Sequence, residues 1–310
     1  MVVEGRRLPI VQPDPQPAEI PIFKTIAIVG LGVIGGSVAL AARRRWPGCL
    51  VIGVDRNEVL EQAMVAHAVD VAASDPVVIA DADLVVLAAP VETNIELLQV
   101  VAEYVTVSAI VTDTSATKRR IVERSATLPP RLQFVGGSPL GGAARSGFEH
   151  ARSDMFAGRP WILTPVGDGG GESLERVSHF VRELGAEPRV MTPTEHDRVM
   201  AAVFQLPQLG ATAMMHAIGE HVGDLGLGLA GRGLIDSTRL ASSSATVWTD
   251  ICRTNADFIG SELDALIAVL QGIRDNLESA TGLDDVFESA NAWRRRLVAS
   301  TDRQPSPRKK

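Results

Sequence analysis

The 310-residue chain has only two cysteines, Cys49 and Cys252. That is too few for a disulfide framework or a cysteine zinc site, and it fits a reducing, cytoplasmic setting. A basic excess is also missing. With 30 Lys and Arg against 37 Asp and Glu, the formal net charge of −7 has the wrong sign for a dedicated nucleic-acid binder. Aromatic residues are scarce at 4%, yet 45% of the chain is hydrophobic and 22% charged, which excludes an intrinsically disordered polymer. One uncharged stretch, 199–218 with His216 neutral, has about the length of a membrane span. Gln205, Pro207, Gln208 and Thr212 interrupt it, so a buried helix of a bundle is expected there, and no membrane partner. Residues 1–21 carry five prolines and two arginines without a continuous apolar core, so a flexible arm is expected rather than a signal peptide. Residues 301–310 are expected to form a flexible tail.

The length predicts two domains at about 150 residues each. Short β-branched runs at 26–29, 51–54, 84–88, 109–112, 133–135 and 161–163 read as strands, apolar on both faces. Helical patterns lie between them at 33–45, 58–67, 92–104 and 118–127. A helix at 172–184 and a strand at 188–191 close this half. The alternation predicts an α/β domain, a parallel sheet wrapped by helices, over residues 22–190. Beyond it the strand pattern stops, and 191–300 reads as all-helical.

The string Gly30-Leu31-Gly32-Val33-Ile34-Gly35 follows the first strand and opens a helix. In a dinucleotide site the first glycine permits the tight turn, the second lets the backbone approach a pyrophosphate, and the third lets helix and strand pack. The helix start then offers free N–H groups to phosphate. Asp55 ends the second strand, where an acid accepts hydrogen bonds from the adenosine ribose and repels a 2′-phosphate. NAD is therefore favoured, while Arg56 beside it leaves NADP open. Pro90 either ends a strand at the ligand-binding edge or starts a helix.

The string 134–142, Phe-Val-Gly-Gly-Ser-Pro-Leu-Gly-Gly, with Gly147, Phe156, Gly158 and Thr164-Pro165, resembles the central motif of the prephenate and arogenate dehydrogenases. Val111-Thr112-Asp113 with Lys118, the run 192–197, and the run 236–241 with Trp248, Asp250-Ile251 and Asn255 continue the resemblance in order. It implies a Rossmann domain, a helical substrate and dimerisation domain, and a homodimer. It also implies NAD as hydride acceptor, and oxidative decarboxylation of a cyclohexadiene dicarboxylate. Arg239 matches the family's clamp on the substrate side-chain carboxylate, a role that suits a planar guanidinium. His196 matches a histidine near the family's active site. Lys118 is expected to support the fold or the cofactor loop, and Trp248 to pack in the dimer half.

Three departures from the family pattern, at four positions, fall on the substrate side. Ser138 stands where the family has the histidine that accepts a hydrogen bond from the C4 hydroxyl. Ala116 stands where it usually has a serine, with Ser115 one position early. Gln205 and Gln208 replace two histidines of its His-Leu-Pro-His string. Imidazole assists hydride loss from C4 by taking the hydroxyl proton, and a serine hydroxyl is a poor base. With an amine at C4, the nitrogen lone pair stabilises the developing cation without that proton transfer. Serine and glutamine, neutral donors and acceptors, suit such a group. The expectation is 4-amino-4-deoxyprephenate as substrate, with Ser138 and Ser115 at the reacting centre and Arg239, Gln205, Gln208 and His196 binding the substrate. Two alternatives remain. One is a prephenate or arogenate dehydrogenase with its base relocated to His150, His216 or His221, and the other is a silent NAD-binding protein.

Overall fold

The computed structural model describes residues 21–141, 147–167 and 171–301. Gly142 of the central motif, the arm up to residue 20 and the tail from 302 lie outside the described residues. The first half is β1 (Thr25–Val29), α1 (Val33–Arg45), β2 (Leu50–Val54), α2 (Asn57–Val65), β3 (Val71–Ala73), β4 (Leu84–Leu87), α3 (Val91–Tyr104), β5 (Ala109–Asp113), α4 (Arg119–Ser125), β6 (Leu132–Pro139), β7 (Pro160–Pro165), α5 (Gly171–Glu183) and β8 (Glu187–Val190). These strands form one sheet in the order β3-β2-β1-β4-β5-β6-β7-β8.

Consecutive strand residues feed opposite layers. Ile26 and Ile28 join a core with Val38, Ala42, Trp46 and Phe180, whereas Ala27 and Val29 join one with Leu98, Val101 and Ile121. Helices therefore cover both faces, which is why the strand sequences show no polar alternation. The order reverses around β1, between β2 and β4, and this opens a crevice at the carboxyl ends of the strands.

Two features depart from the sequence reading. Three-residue β3 is too short to leave a periodic signal. In addition, β7 runs antiparallel to β6, so the last two strands oppose the first six. An antiparallel neighbour needs no crossover helix, and no helical period separates the two strands.

The second half consists of α6 (Pro193–Met200), a π-turn (Ala201–Gln205), α7 (Leu206–Leu227), α8 (Arg232–Ser237), a 3-10 turn (Arg239–Ser242), α9 (Ala245–Thr254), α10 (Ala256–Asp275) and α11 (Leu283–Thr301). Thr192 and Glu195 form a reciprocal capping box at the start of α6, so a sharp helix start marks the change of architecture. The 199–218 stretch is helical as expected, but in the single chain it is not buried. Val203 is 63% and Phe204 51% exposed, and within α7 only Gln208 and Ala211 are buried. Among the described residues no helix is long and apolar enough to cross a membrane.

Candidate active site

At the switch point of the sheet, Gly30 has φ +95°, and a Cβ there would lie 2.7 Å from the backbone of Ala88. At Gly35 a Cβ would meet the Gly30 carbonyl at 1.8 Å. Gly32 differs, because nothing lies within 4 Å of the space a Cβ would take. Gly30 and Gly35 therefore serve the fold, and Gly32 leaves room for something else. Gly32 also starts α1 without any side-chain cap, so the first N–H groups of that helix lack the partner most helices supply.

Asp55 sits against this loop, accepting from Leu31 N at 2.6 Å and Arg56 N at 2.7 Å. Each carboxylate oxygen keeps a lone pair for a ribose hydroxyl. The Leu31 side chain is fully buried and fills the space left by Gly53, so only its backbone can face a cofactor. Val33 and Ile34 pack partly on the core, and the Arg56 side chain is exposed. Pro90 is the N-cap of α3, directly after β4, so it starts a helix at the strand edge. An open second glycine, uncapped N–H groups and a poised acid together fit a dinucleotide, for which Gly32 through Ile34 would meet the pyrophosphate and Asp55 the ribose. Gly32→Ala should keep its unfolding free energy within about 1 kcal/mol of wild type, because its Cβ meets only open space. It should weaken NAD binding at least about tenfold by filling the phosphate approach, as read by titration of NAD into the variant.

The next strands carry the candidate chemistry. Asp113, at the end of β5, is fully buried and accepts from Gly137 N at 2.9 Å, from Ser115 N at 2.9 Å and from Lys118 Nζ. Lys118 Nζ also donates to Gly137 O at 2.6 Å. Both polar groups of Gly137 are thus held by one buried ion pair, which fixes the strand end that carries Ser138. A side chain at Gly137 would collide with the Asp113 carbonyl at 2.4 Å. Burial pulls the Lys118 amine below its usual range while Asp113 pushes it back up. Ser138 is 4% exposed, and among the described residues none hydrogen-bonds its hydroxyl.

Ser115 also has a structural contact in the loop after β5. Its hydroxyl accepts from Asn94 Nδ2 at 2.9 Å, and the same amide brackets Ala89 through its N–H and its carbonyl. Ser115 and Asn94 therefore tie the loops after β4 and β5 together. Asn94 was not singled out by the sequence, where it is one polar residue in the first turns of a helix.

A polar network joins the two halves of the chain. Asp197 accepts from Lys118 N at 2.7 Å, Arg119 N at 3.0 Å and His196 Nδ1 at 2.8 Å. A carboxylate with these partners only accepts, so His196 carries its proton on Nδ1 and presents a lone pair at Nε2. That nitrogen is buried without a partner among the described residues, and desolvation holds the imidazole pKa below its usual value. Arg119 grips Asp257 with both Nη atoms, at 2.8 and 2.5 Å, and stacks over Phe258. The guanidinium lowers the Asp257 pKa to about 2.

Arg239 is exposed in its 3-10 turn and, among the described residues, meets no carboxylate. Gln208 fastens that turn. Its Nε2 donates to Leu240 O at 2.7 Å and its Oε1 accepts from Ser243 at 3.1 Å. The geometry gives Gln208 a framework task rather than the free amide expected of a substrate ligand. Gln205 is fully buried, with Nε2 unpartnered among the described residues. Trp248 stacks with Phe204 at 6.0 Å, and both lie toward the exposed side of the helical half. Of the alternative bases, His216 and His221 are exposed on α7, and His150 lies 3.7 Å from Glu149.

The chain matches the family model for the prephenate dehydrogenase nucleotide-binding domain over residues 38–192, and that for its dimerization domain over 192–289. It is 33% identical to a prephenate dehydrogenase of Bacillus subtilis over 280 residues, 87% of this chain and 75% of that one. Over 148 residues, 48% of this chain and 46% of the other, it is 31% identical to a 4-amino-4-deoxyprephenate dehydrogenase of Streptomyces pristinaespiralis. The crystal structure of Aquifex aeolicus prephenate dehydrogenase with hydroxyphenyl propionate and NAD+ superposes with a TM-score of 0.82 at 26% identity, covering 88% of this chain and 98% of that one. The glycine turn, the poised acid and the helical half thus have one common explanation: the chain belongs to the prephenate dehydrogenase family of NAD-dependent, oxidatively decarboxylating enzymes.

Proposed function

We propose that the chain oxidises a cyclohexadiene dicarboxylate bearing nitrogen at C4, converting 4-amino-4-deoxyprephenate to 4-aminophenylpyruvate and carbon dioxide. The observation that carries this reading is Ser138, a hydroxyl at the end of β6 without a partner among the described residues, where the family pattern has imidazole. NAD, when bound at the glycine turn, supplies the hydride acceptor. Ser138 then orients the C4 substituent by a neutral hydrogen bond. With the amine in its neutral form, its lone pair stabilises the cation left at C4, so no side chain has to remove a proton in that step. The electron pair of the C1–carboxylate bond passes into the ring, which becomes aromatic as carbon dioxide leaves. Arg239 clamps the side-chain carboxylate, and Gln208 holds the turn that presents it. The match to a 4-amino-4-deoxyprephenate dehydrogenase supports the nitrogen, although it spans only half the chain.

A second reading has its own observation. His196 Nε2 offers a buried lone pair backed by Asp197, as a base for a C4 hydroxyl would. That reading gives a prephenate dehydrogenase, in keeping with the B. subtilis relative. Steady-state kcat/KM for the amino and hydroxy substrates, measured side by side, decides between them. Preference for prephenate overturns the proposal, and turnover of neither substrate with NAD binding intact favours a silent protein. The assembly proposed is a homodimer, supported by the dimerization-domain match and by the apolar face of Val203, Phe204 and Met214 left exposed in the single chain.

A further inference from the structure

A relay of three side chains sets the direction of one buried donor. Arg119 can only donate, so the Asn255 atom 2.9 Å from its Nη2 has to be the carbonyl oxygen. The Asn255 amide nitrogen then meets the Asp197 carbonyl at 2.9 Å, which can only accept. That same nitrogen faces Gln205 at 2.8 Å, so the Gln205 atom there is Oε1. Gln205 Nε2 is thereby turned the other way, fully buried and without a partner among the described residues. Flipping the amide would set two NH2 groups against each other, so the relay maintains an otherwise costly unmade bond.

The position matters as much as the direction. Gln205 ends the π-turn Ala201–Gln205, a backbone form frequent at functional sites. One turn later Gln208 holds Leu240, next to Arg239. In the other direction Asn255, Asp197 and Lys118 lead by hydrogen bonds to Gly137, next to Ser138. The orphan donor therefore belongs to the network that spans the residue proposed at C4 and the residue proposed at the side-chain carboxylate.

We propose that Gln205 Nε2 donates to the ring carboxylate of the substrate, the group lost as carbon dioxide, with Asn255 and Arg119 as positioning residues. This rests on the cyclohexadiene dicarboxylate reading above. Arg239 supplies a fork for one carboxylate, and the second needs a donor of its own. A neutral amide suits a group whose charge must vanish. As the C1–carboxylate electron pair enters the ring, the anion becomes neutral carbon dioxide, and a cation beside it would hold the ground state back. A dry amide orients the carboxylate with less of that penalty.

The test is Gln205→Glu, which keeps one oxygen toward Asn255 and puts an anionic oxygen where the donor was. KM for the substrate should rise about tenfold or more at about pH 8 and recover toward wild type at about pH 5, because burial raises the pKa of the acid and lets it regain a proton to donate. The dissociation constant for NAD should not change. The product keeps the side-chain carboxylate but has lost the ring one, so its inhibition constant should change less than about twofold. Asn255→Asp, which removes the NH2 that locks Gln205, should weaken substrate and spare product in the same way. If a variant fails to bind NAD, Gln205→Met serves instead, with substrate weakened, product spared and no recovery at low pH. Equal weakening of substrate and product, or an unchanged KM, overturns the assignment. Amino and hydroxy substrates carry the same two carboxylates, so both should lose affinity alike whichever the enzyme prefers. A failed nitrogen reading is thereby distinguished from a failed role for Gln205.

Discussion

Ser138→His is expected to raise kcat/KM for prephenate by about two to four orders of magnitude, the usual contribution of a positioned general base. The same change should lower turnover of the amino substrate, since the larger imidazole crowds the C4 amine and its protonated form repels the cation that develops there. The selectivity ratio therefore inverts, and NAD binding does not move. The physical ground is the strand end itself. Gly137 is gripped at both its N–H and its carbonyl, so the residue after it is held with little freedom to drift from its target. A ratio that stays constant across the substitution would mean that position 138 does not face C4. In that case His196, with its buried lone pair, becomes the group to replace next.

The second large effect is on stability. Lys118→Met leaves the Asp113 carboxylate in a fully buried site with backbone donors but no cation. Breaking such a pair from one side costs about 3–5 kcal/mol, because the remaining charge is desolvated without compensation. Denaturant unfolding should show this as a lower midpoint at unchanged slope. Asp113→Asn added to Lys118→Met should recover part of the loss, since the pair is coupled and no charge then remains buried. Additive losses would show that the two groups do not interact as the structure has them. The catalytic prediction follows from the same contact. With the Gly137 carbonyl released, kcat should fall more than the affinity for NAD, whose proposed phosphate site lies at the end of β1, three strands from β6.

The features legible in the sequence were those written in consecutive residues. The glycine turn requires a positive φ at Gly30 and bare space at Gly35, demands that only glycine meets, and Asp55 follows at the end of the next strand. The apolar runs on both faces announced a covered sheet, and the elements predicted from them lie within a few residues of those observed. Where prediction missed, the missing information was long-range. The direction of β7 depends on how it pairs with β6, and pairing leaves no periodic trace. Ser115 is expected at the reacting centre from its nearness to the usual serine position, and only the tertiary structure shows that its hydroxyl accepts from Asn94, 21 residues earlier on α3. Gln208 was expected to touch substrate because of the residue it replaces, yet Leu240 and Ser243 occupy its amide.

What the sequence determined alone was therefore the class of molecule: an α/β dinucleotide half, a helical half, and a family pattern with an alcohol where imidazole is usual. Local backbone preference and hydrophobic period suffice for that, because each is satisfied within a few residues. Only the tertiary structure decided which polar groups are used up by the protein and which are left free. Asp113 and Lys118 are spent on Gly137, and Gln208 on the Arg239 turn. Arg119, a member of the first half, sets the amide of Asn255, 136 residues later, and through it the donor of Gln205. Hydrogen-bond capacity is a count over all neighbours in space, and those neighbours exist only once the two halves have closed on each other.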